Sequence, residues 1–532
     1  MKQIAEQSPV CANSVLAVAE FVRKQYETAT PVQRRKERGQ FFTPISIARF
    51  MAVLFSTPPG EFRILDAGAG TGTLTAAVCD RILRLRSPRT VEAVLVETDS
   101  RVLPLLEKNM RTCRRLLQQA GHKMSYTIEH HDFVLDNQES LGQRSLFSDN
   151  LGLGLFDAII MNPPYFKINK SSPHALAFEQ VFRSQPNIYA LFMATACTLL
   201  RPGGELVAIT PRSFCNGLYF RDFRRWFLSR MSLRHIHLFD SRTATFKDDN
   251  VLQESLITFW IQAIASPKEV KLTTSHGADL SGACRPTSYP FDRIVDDCLG
   301  NLIVRVPATP ADAAIMEAVD SWSTRFTDCG LRISTGPVVA FRATKHLLQQ
   351  IEPNAVPLLW PHNVRAFETQ WPVHKNGKPV AIRSCADSEN LLVPSTNYVL
   401  LKRFSAKEEH RRLTASCFIP GNGDWPTRIG IENHVNYIYH ARRELTVPEV
   451  FGLAALLNSN LLDRYFRTLS GNTQVNATEI RMMPFPSLTI IASIGSAVAR
   501  LKDNTREAID SLVLRSLGID GHIAKELVGV IS

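Results

Sequence analysis

The sequence predicts an α/β protein: a doubly wound, mostly parallel sheet in the first half of the chain, then a second domain of mixed α and β structure. Three observations carry this reading. Short apolar runs alternate with stretches of helical apolar spacing, the rhythm of strand–helix–strand units. The first run enters a glycine-rich turn, Ala67-Gly68-Ala69-Gly70-Thr71-Gly72, that lets backbone approach a ligand before a helix begins. Near Asn301 the rhythm stops, and Pro, Gly, Trp, Tyr and basic clusters scatter among shorter apolar runs.

Length and composition bound the rest. A chain of 532 residues is too long for one core, so two or three domains are expected. With 45% hydrophobic and 21% charged residues it is an ordinary globular chain, without a disordered or collagen-like signal. A net charge of +11 and a pI near 9.2 favour a polyanionic partner. The ten cysteines form no Cys-x-x-Cys pair and no Cys/His cluster at zinc spacing, which argues against a disulfide framework and against a metal site. Residues 1–20 lack a signal-peptide pattern and no apolar run is long enough to cross a bilayer, so the expected setting is a reducing cytoplasm with no membrane partner.

Taken in order, residues 1–38 read as a helical segment that turns basic at Arg34 to Arg38. Thr43 suits an N-cap and Pro44 the first position of a helix running from Ile45 to Leu54. A strand from Phe62 to Asp66, the glycine turn and a helix from Thr73 to Leu85 follow. Strands from Val91 to Glu97 and from Ser125 to His131 flank a helix that starts near Ser100. After a polar loop at 143–154, the apolar run from Phe156 to Met161 reads as a buried strand. Asn187 to Leu200 is a helix, Arg201 to Gly204 a turn and Glu205 to Thr210 a strand. A helix from Phe220 to Ser229 and strands from Leu233 to Leu238 and Ser255 to Ile261 complete a sheet expected to end near Ala265.

The chemistry collects at strand ends. Asn162, Pro163, Pro164 and Tyr165 leave the Phe156 strand at the sheet rim. An amino nitrogen conjugated to a ring is a poor nucleophile, and activating it takes acceptors for both N–H groups. The Asn162 amide oxygen can supply one and the Pro163 carbonyl the other, with Tyr165 flat against the ring. By itself the tetrapeptide is equally a strand closed by a Pro-Pro turn. The glycines at 68, 70 and 72 do not match the dinucleotide fingerprint, because its third glycine would fall on Thr73. Asp66 before them suits the ammonium of an amino-acid-bearing cofactor better than a pyrophosphate. Glu97, at the end of the next strand, can accept both hydroxyls of a ribose.

Together, Asp66-Ala-Gly-Ala-Gly-Thr-Gly72, Glu97, Asp132-Phe133 and Asn162-Pro-Pro-Tyr165 resemble the motifs of S-adenosylmethionine-dependent amino-methyltransferases, with a Rossmann-like sheet. Gly39-Gln-Phe-Phe-Thr-Pro44 upstream fits the gamma order of the DNA adenine-N6 enzymes, and Leu331 to Arg342, Leu359 to Asn363 and Ser470 to Thr478 resemble the PstI/BsuBI group of modification methylases. The resemblance implies S-adenosyl-L-methionine as cofactor and double-stranded DNA as partner. It implies that Asp66, Gly68, Gly70 and Gly72 surround the methionine end, that Glu97 holds the ribose and that Asp132 and Phe133 lie near the cofactor's adenine. Thr43 and Pro44 would close the pocket, and Phe246 would clamp the extruded base opposite Tyr165. The implied target is a CTGCAG-like palindrome, and a cognate restriction endonuclease would be a separate chain.

On this reading 39–265 is the methyltransferase domain, 266–300 a connecting segment and 301–532 a DNA target-recognition domain. Lys402, Arg403, Lys407, Arg411 and Arg412 are compatible with phosphate contacts, and Val447 to Phe466 reads as a core helix. Two rivals are a methyltransferase acting on a ribosomal RNA amine or a protein glutamine amide, and a DNA-binding subunit without turnover. The long basic second half disfavours the first, and the complete set from Asp66 to Tyr165 the second.

Overall fold

A computed structural model describes residues 14–523 except 38, 40, 139–154, 180, 182–186, 240–253, 264, 279, 281–284, 298–299, 406–408, 410, 423–424, 472, 502–504, 520 and 522. The chain forms two compact units, Met1–Ala308 and Thr309–Ser532.

Unit 1 is built on nine described strands: β1 (Glu61–Ala67), β2 (Thr90–Val96), β3 (Lys123–Glu129), β4 (Phe156–Met161), β5 (Leu200–Pro211), β6 (Met231–Phe239), β7 (Ser255–Gln262), β8 (Glu269–Ser275) and β9 (Thr287–Pro290). They lie in the order β3-β2-β1-β4-β5-β7-β6-β8-β9. The first five in that order run parallel, whereas β7 is antiparallel to both β5 and β6. Alternation along the strands feeds two cores. Ile64 faces the core made with α1 (Val15–Ala29), α3 (Ile45–Leu54), α4 (Thr73–Ile82) and α5 (Leu103–Gln119), and Leu65 the core made with α7 (Ile188–Leu199) and α8 (Arg221–Leu228). Val32–Glu37 forms α2 and Pro173–Ala177 forms α6.

Several expectations are corrected. Residues 266–300 contain β8 and β9 and lengthen the same sheet, so the sheet does not end near Ala265. The turn expected at Arg201 to Gly204 lies within β5, where Gly203 takes φ 79° and the pairing with β4 shifts register between Phe156 and Ala158. Thr43 does not cap α3: Pro44 holds that position without a side-chain bond, and the Thr43 hydroxyl is turned elsewhere. The loop at 143–154 lies outside the described residues.

Unit 2 holds two five-stranded sheets. One orders Leu331–Thr335, Val435–His440, Tyr398–Lys402, Ala415–Phe418 and Phe367–Glu368, and the other Leu347–Leu348, Ala381–Arg383, Ala355–Leu359, Arg428–Ile431 and Leu392–Pro394. The helix expected from Val447 to Phe466 is two, Val447–Asn458 and Asn460–Leu469. Ser459 breaks it by adopting ψ 149° and accepting from the Leu462 N–H, while the Asn458 amide is committed to the Ala415 backbone. The first of these helices meets Leu488–Val498 at backbone distance: a Cβ on Gly452 would sit 1.9 Å from the Ile491 carbonyl oxygen, and one on Gly495 1.8 Å from that of Pro448. Arg411 and Arg412, read from the sequence as compatible with phosphate contacts, are engaged within the protein. Arg411 pairs with Asp510 at 3.1 Å, and the buried Arg412 bonds Ser405 and the Ser470 carbonyl. Lys407 lies outside the described residues.

Candidate active site

Strand order reverses between β1 and β4, and crevices at the carboxyl ends of such neighbouring parallel strands are where open α/β sheets bind ligands. A cavity of about 510 Å³ opens there. Its walls include Gly68 and Gly70 after β1, Glu97 after β2, Asp132 and Phe133 after β3, and Asn162 and Pro164 after β4. Motifs far apart in the chain thus converge because each follows a parallel strand.

The glycine turn owes its residues to space as well as to φ. Gly68, Gly70 and Gly72 have φ of 75°, 53° and 77°. A Cβ on Gly70 would come within 3.0 Å of the Phe42 ring, and one on Gly72 within 2.7 Å of Leu106. The Gly68 and Ala69 N–H groups donate to the Val96 carbonyl, and the Gly70 N–H donates to Glu97 Oε2 at 2.8 Å. Glu97 Oε1 accepts from the Asp99 N–H. Burial raises the Glu97 pKa, partly offset by those two amides. Asp99 is held in turn by Tyr26 and Arg101, and the Tyr26 ring meets Phe42 edge-on at 5.2 Å, so α1 braces the cavity wall.

Asp66 is fully buried beneath the turn and does not line the cavity. Its Oδ2 accepts from the Thr75 N–H and hydroxyl, while Oδ1 has no partner among the described residues. Burial pushes its pKa up to about 7. At Asp132, Oδ1 accepts from the Val134 and Leu135 N–H groups, and Oδ2 meets His174 Nε2 at 2.9 Å. Burial would raise this carboxyl, but the His174 bond and the two amides outweigh it and hold it low.

At Asn162 the amide is oriented by its neighbours. Nδ2 donates to the Phe41 carbonyl at 2.7 Å and to the Thr43 hydroxyl at 3.0 Å, which ties the segment before α3 to the loop after β4. Oδ1 accepts from the Tyr165 hydroxyl at 2.6 Å. Tyr165 is therefore not an open stacking platform in this structure. Its ring is buried against Phe41, and its hydroxyl also donates to the Ile209 carbonyl. Burial pushes that hydroxyl far above the ordinary tyrosine range, so it stays a donor. The aromatic rings on the cavity wall are instead Phe41, Phe42, Phe133, Phe166 and Phe192. Phe246 lies outside the described residues, and Pro44 and Pro163 are close in sequence to the wall without forming it.

Sequence reasoning missed His174, Phe166 and Phe192 as wall residues. Phe166 was findable as the neighbour of Tyr165, whereas His174 carries no local signal. A glycine-backed cleft with one carboxylate at the β2 end, a second at the β3 end and apolar rings between them fits an adenosyl group with a charged amino-acid tail. Asp66 Oδ1 is a buried acceptor without a partner among the described residues, beneath the glycine turn and behind the cavity wall. Among the described residues no group of His, Cys, Asp and Glu could hold a metal ion, and no helix is long and apolar enough to cross a membrane.

Comparison with known proteins places these features in context. Residues 92–246 match the family described as Eco57I restriction-modification methylase. The chain is 33% identical to the type II methyltransferase M.PstI of Providencia stuartii over 97% of its length and 99% of that protein's. It is 35% identical to the type II methyltransferase M.BsuBI of Bacillus subtilis over 93% of its length and 97% of that protein's. Among solved structures, the type IIL restriction-modification enzyme MmeI in complex with DNA matches 96% of this chain and 74% of its own, at 11% identity and a TM-score of 0.50.

Proposed function

Starting from the fact that this chain belongs to the family of the type II DNA methyltransferases M.PstI and M.BsuBI and uses S-adenosylmethionine, we propose that it methylates N6 of adenine in duplex DNA. The observation that carries this reading is the fixed Asn162 amide. With Nδ2 committed to Phe41 and Thr43 and Oδ1 accepting from the Tyr165 hydroxyl, the amide orientation is fixed and one Oδ1 lone pair remains for a substrate N–H, in a wall that also bears the cofactor motifs.

When bound, S-adenosylmethionine supplies an electrophilic sulfonium methyl. Asn162 Oδ1 has two lone pairs, of which Tyr165 uses one, so the other can accept from a target N–H. The Pro163 carbonyl takes the second N–H. The two acceptors turn the nitrogen lone pair toward the methyl, a positioning effect that needs no covalent adduct. A base inside a duplex cannot reach this wall, so the adenine is extruded at a cost of a few kcal/mol. Unit 2 selects the sequence, and the methylated site guards DNA against a nuclease on another chain. MmeI, whose fold this chain shares, was solved in complex with DNA, which supports a DNA partner.

Expression in a host free of DNA methylation, followed by single-molecule sequencing, tests the proposal. N6-methyladenine in one recurring motif is the expected result. Unmodified DNA alongside methylated RNA or protein would overturn it.

A further inference from the structure

The turn that leaves β5 presents two large apolar side chains to solvent. Leu218 is 47% exposed and Tyr219 69% exposed, in a segment with no described covering element. Burying apolar surface is favourable, so a chain that leaves both side chains out forgoes that stabilisation. Isolated exposed apolar residues are common and need no explanation. This pair differs because the structure holds it out. From below, the buried Arg224 guanidinium donates to the Phe214 carbonyl at 2.9 Å and the Gly217 carbonyl at 2.7 Å, bracketing the turn. Gly217 has no room for a side chain, since a Cβ would lie 2.8 Å from the Ser213 carbonyl oxygen. A buried charge thus fixes the backbone that displays Leu218 and Tyr219.

The turn is also wired to the catalytic loop. β5 lies beside β4 and runs parallel to it, so both chain ends emerge on one rim of the sheet. The Tyr165 hydroxyl donates to the Ile209 carbonyl near the end of β5. Tyr189 meets Tyr165 edge-on at 6.4 Å, shares a 2.7 Å hydrogen bond with Ser213 and stacks on Phe220 at 5.5 Å. An unbroken set of aromatic contacts therefore runs from Asn162's partner to the residue after Tyr219. Arg221, about half exposed, follows directly and pairs with the neighbouring Asp222 at 3.6 Å, a solvent-facing pair from which a phosphate can draw the guanidinium.

We propose that Leu218 and Tyr219 form an apolar wedge that enters the DNA duplex beside the extruded adenine and occupies or stacks over the space it leaves. The inference rests on the DNA-methylating function proposed above and adds the surface that holds the duplex open. Wedges of this kind trade the cost of unstacking for added contact with a distorted helix.

The test uses the full-length chain and unmethylated plasmid DNA, then short duplexes carrying the motif read from the sequenced host. Leu218→Ser and Tyr219→Ala should keep wild-type melting temperature and S-adenosylmethionine affinity while losing about tenfold or more in kcat/KM for DNA, the scale of one lost stacking contact. Tyr219→Phe should restore most of the loss. A target adenine placed opposite a mismatch, which is already easier to extrude, should narrow the gap between variants and wild type. Wild-type DNA kinetics in both variants, or a loss that a mismatch does not relieve, would overturn the wedge while leaving the methylation reading intact. A wild-type chain that methylates no DNA would overturn both.

Discussion

At Asn162 the amide nitrogen is tied to Phe41 and Thr43, and Oδ1 keeps one lone pair beyond the Tyr165 bond; on the proposed mechanism Asn162→Ala should abolish methylation while calorimetry finds S-adenosylmethionine affinity within a few-fold of wild type. Tyr165→Phe should act differently. It removes the single proton that Asn162 Oδ1 and the Ile209 carbonyl share, at a cost of roughly 1–3 kcal/mol in stability with a lowered kcat, read by urea unfolding and steady-state kinetics. Asp66 predicts a pH effect. Its folded pKa, about 7, lies above the ordinary 3.8, so the protonated form's contribution to stability is complete below about pH 4 and is lost as pH rises through about 7. An ammonium beside the ionised carboxylate would offset that loss. The thermal shift given by S-adenosylmethionine should therefore grow from about pH 6 to about pH 8, and Asp66→Asn should flatten the trend. An unchanged trend in that variant would remove Asp66 from cofactor binding. Glu97 and Asn162 were legible as wall residues because each ends an apolar run and short-range pattern marks such ends, whereas Asp66, marked the same way, lies beneath the turn and off the wall. His174 was not, since it reaches Asp132 from 42 residues away, and the burial of Tyr165 depends on Phe41 and β5, which no local pattern specifies.

Elements in unit 1 were legible through β7 because their apolar runs are long and their turns carry glycine. β8, as long as β1, was missed because it is half-polar, with Lys271, Thr273 and Thr274, and β9 because it has only four residues. What fastens β8 is a buried polar row: His235 Nε2 and His237 Nδ1 both meet the Thr273 hydroxyl at 2.8 Å, and His237 Nε2 meets Ser275 at 2.9 Å. Burial lowers the two imidazoles to about 4 and about 3. The stability their neutral forms provide is present above the ordinary histidine pKa near 6.5 and is lost as pH falls through those values. Thr273→Val should cost about 1–3 kcal/mol by orphaning ring nitrogens, and steepen acid unfolding monitored by circular dichroism. In unit 2, Gly452→Ala should force apart two helices in backbone contact and destabilise that unit by about 3 kcal/mol or more, judged by chemical denaturation, with cofactor binding retained.

For the whole molecule, the division into two units was readable from the loss of strand–helix rhythm, although the boundary falls between Ala308 and Thr309 and not at 300. The difference has a physical cause: the buried Arg224 side chain binds the carbonyls of Asn301 and Leu302, drawing that stretch into unit 1. A fragment ending at Ala308 should accordingly fold and bind S-adenosylmethionine, yet methylate DNA without sequence preference or not at all, as sequencing of host DNA would reveal. Selective methylation by that fragment would place recognition in unit 1. The position of β7 between β5 and β6 bears on how the chain is made. β6 leaves the ribosome before either of its neighbours, because β7 and β8 both follow it in sequence. At synthesis rates of about 5–20 residues per second, its nine residues wait roughly one to five seconds with both edges open before β7 is complete. During that interval the nascent chain offers a template for pairing with another copy. Substitutions that slow the capture of β6 should therefore appear first as inclusion bodies in a foreign host, which the soluble fraction after expression would show.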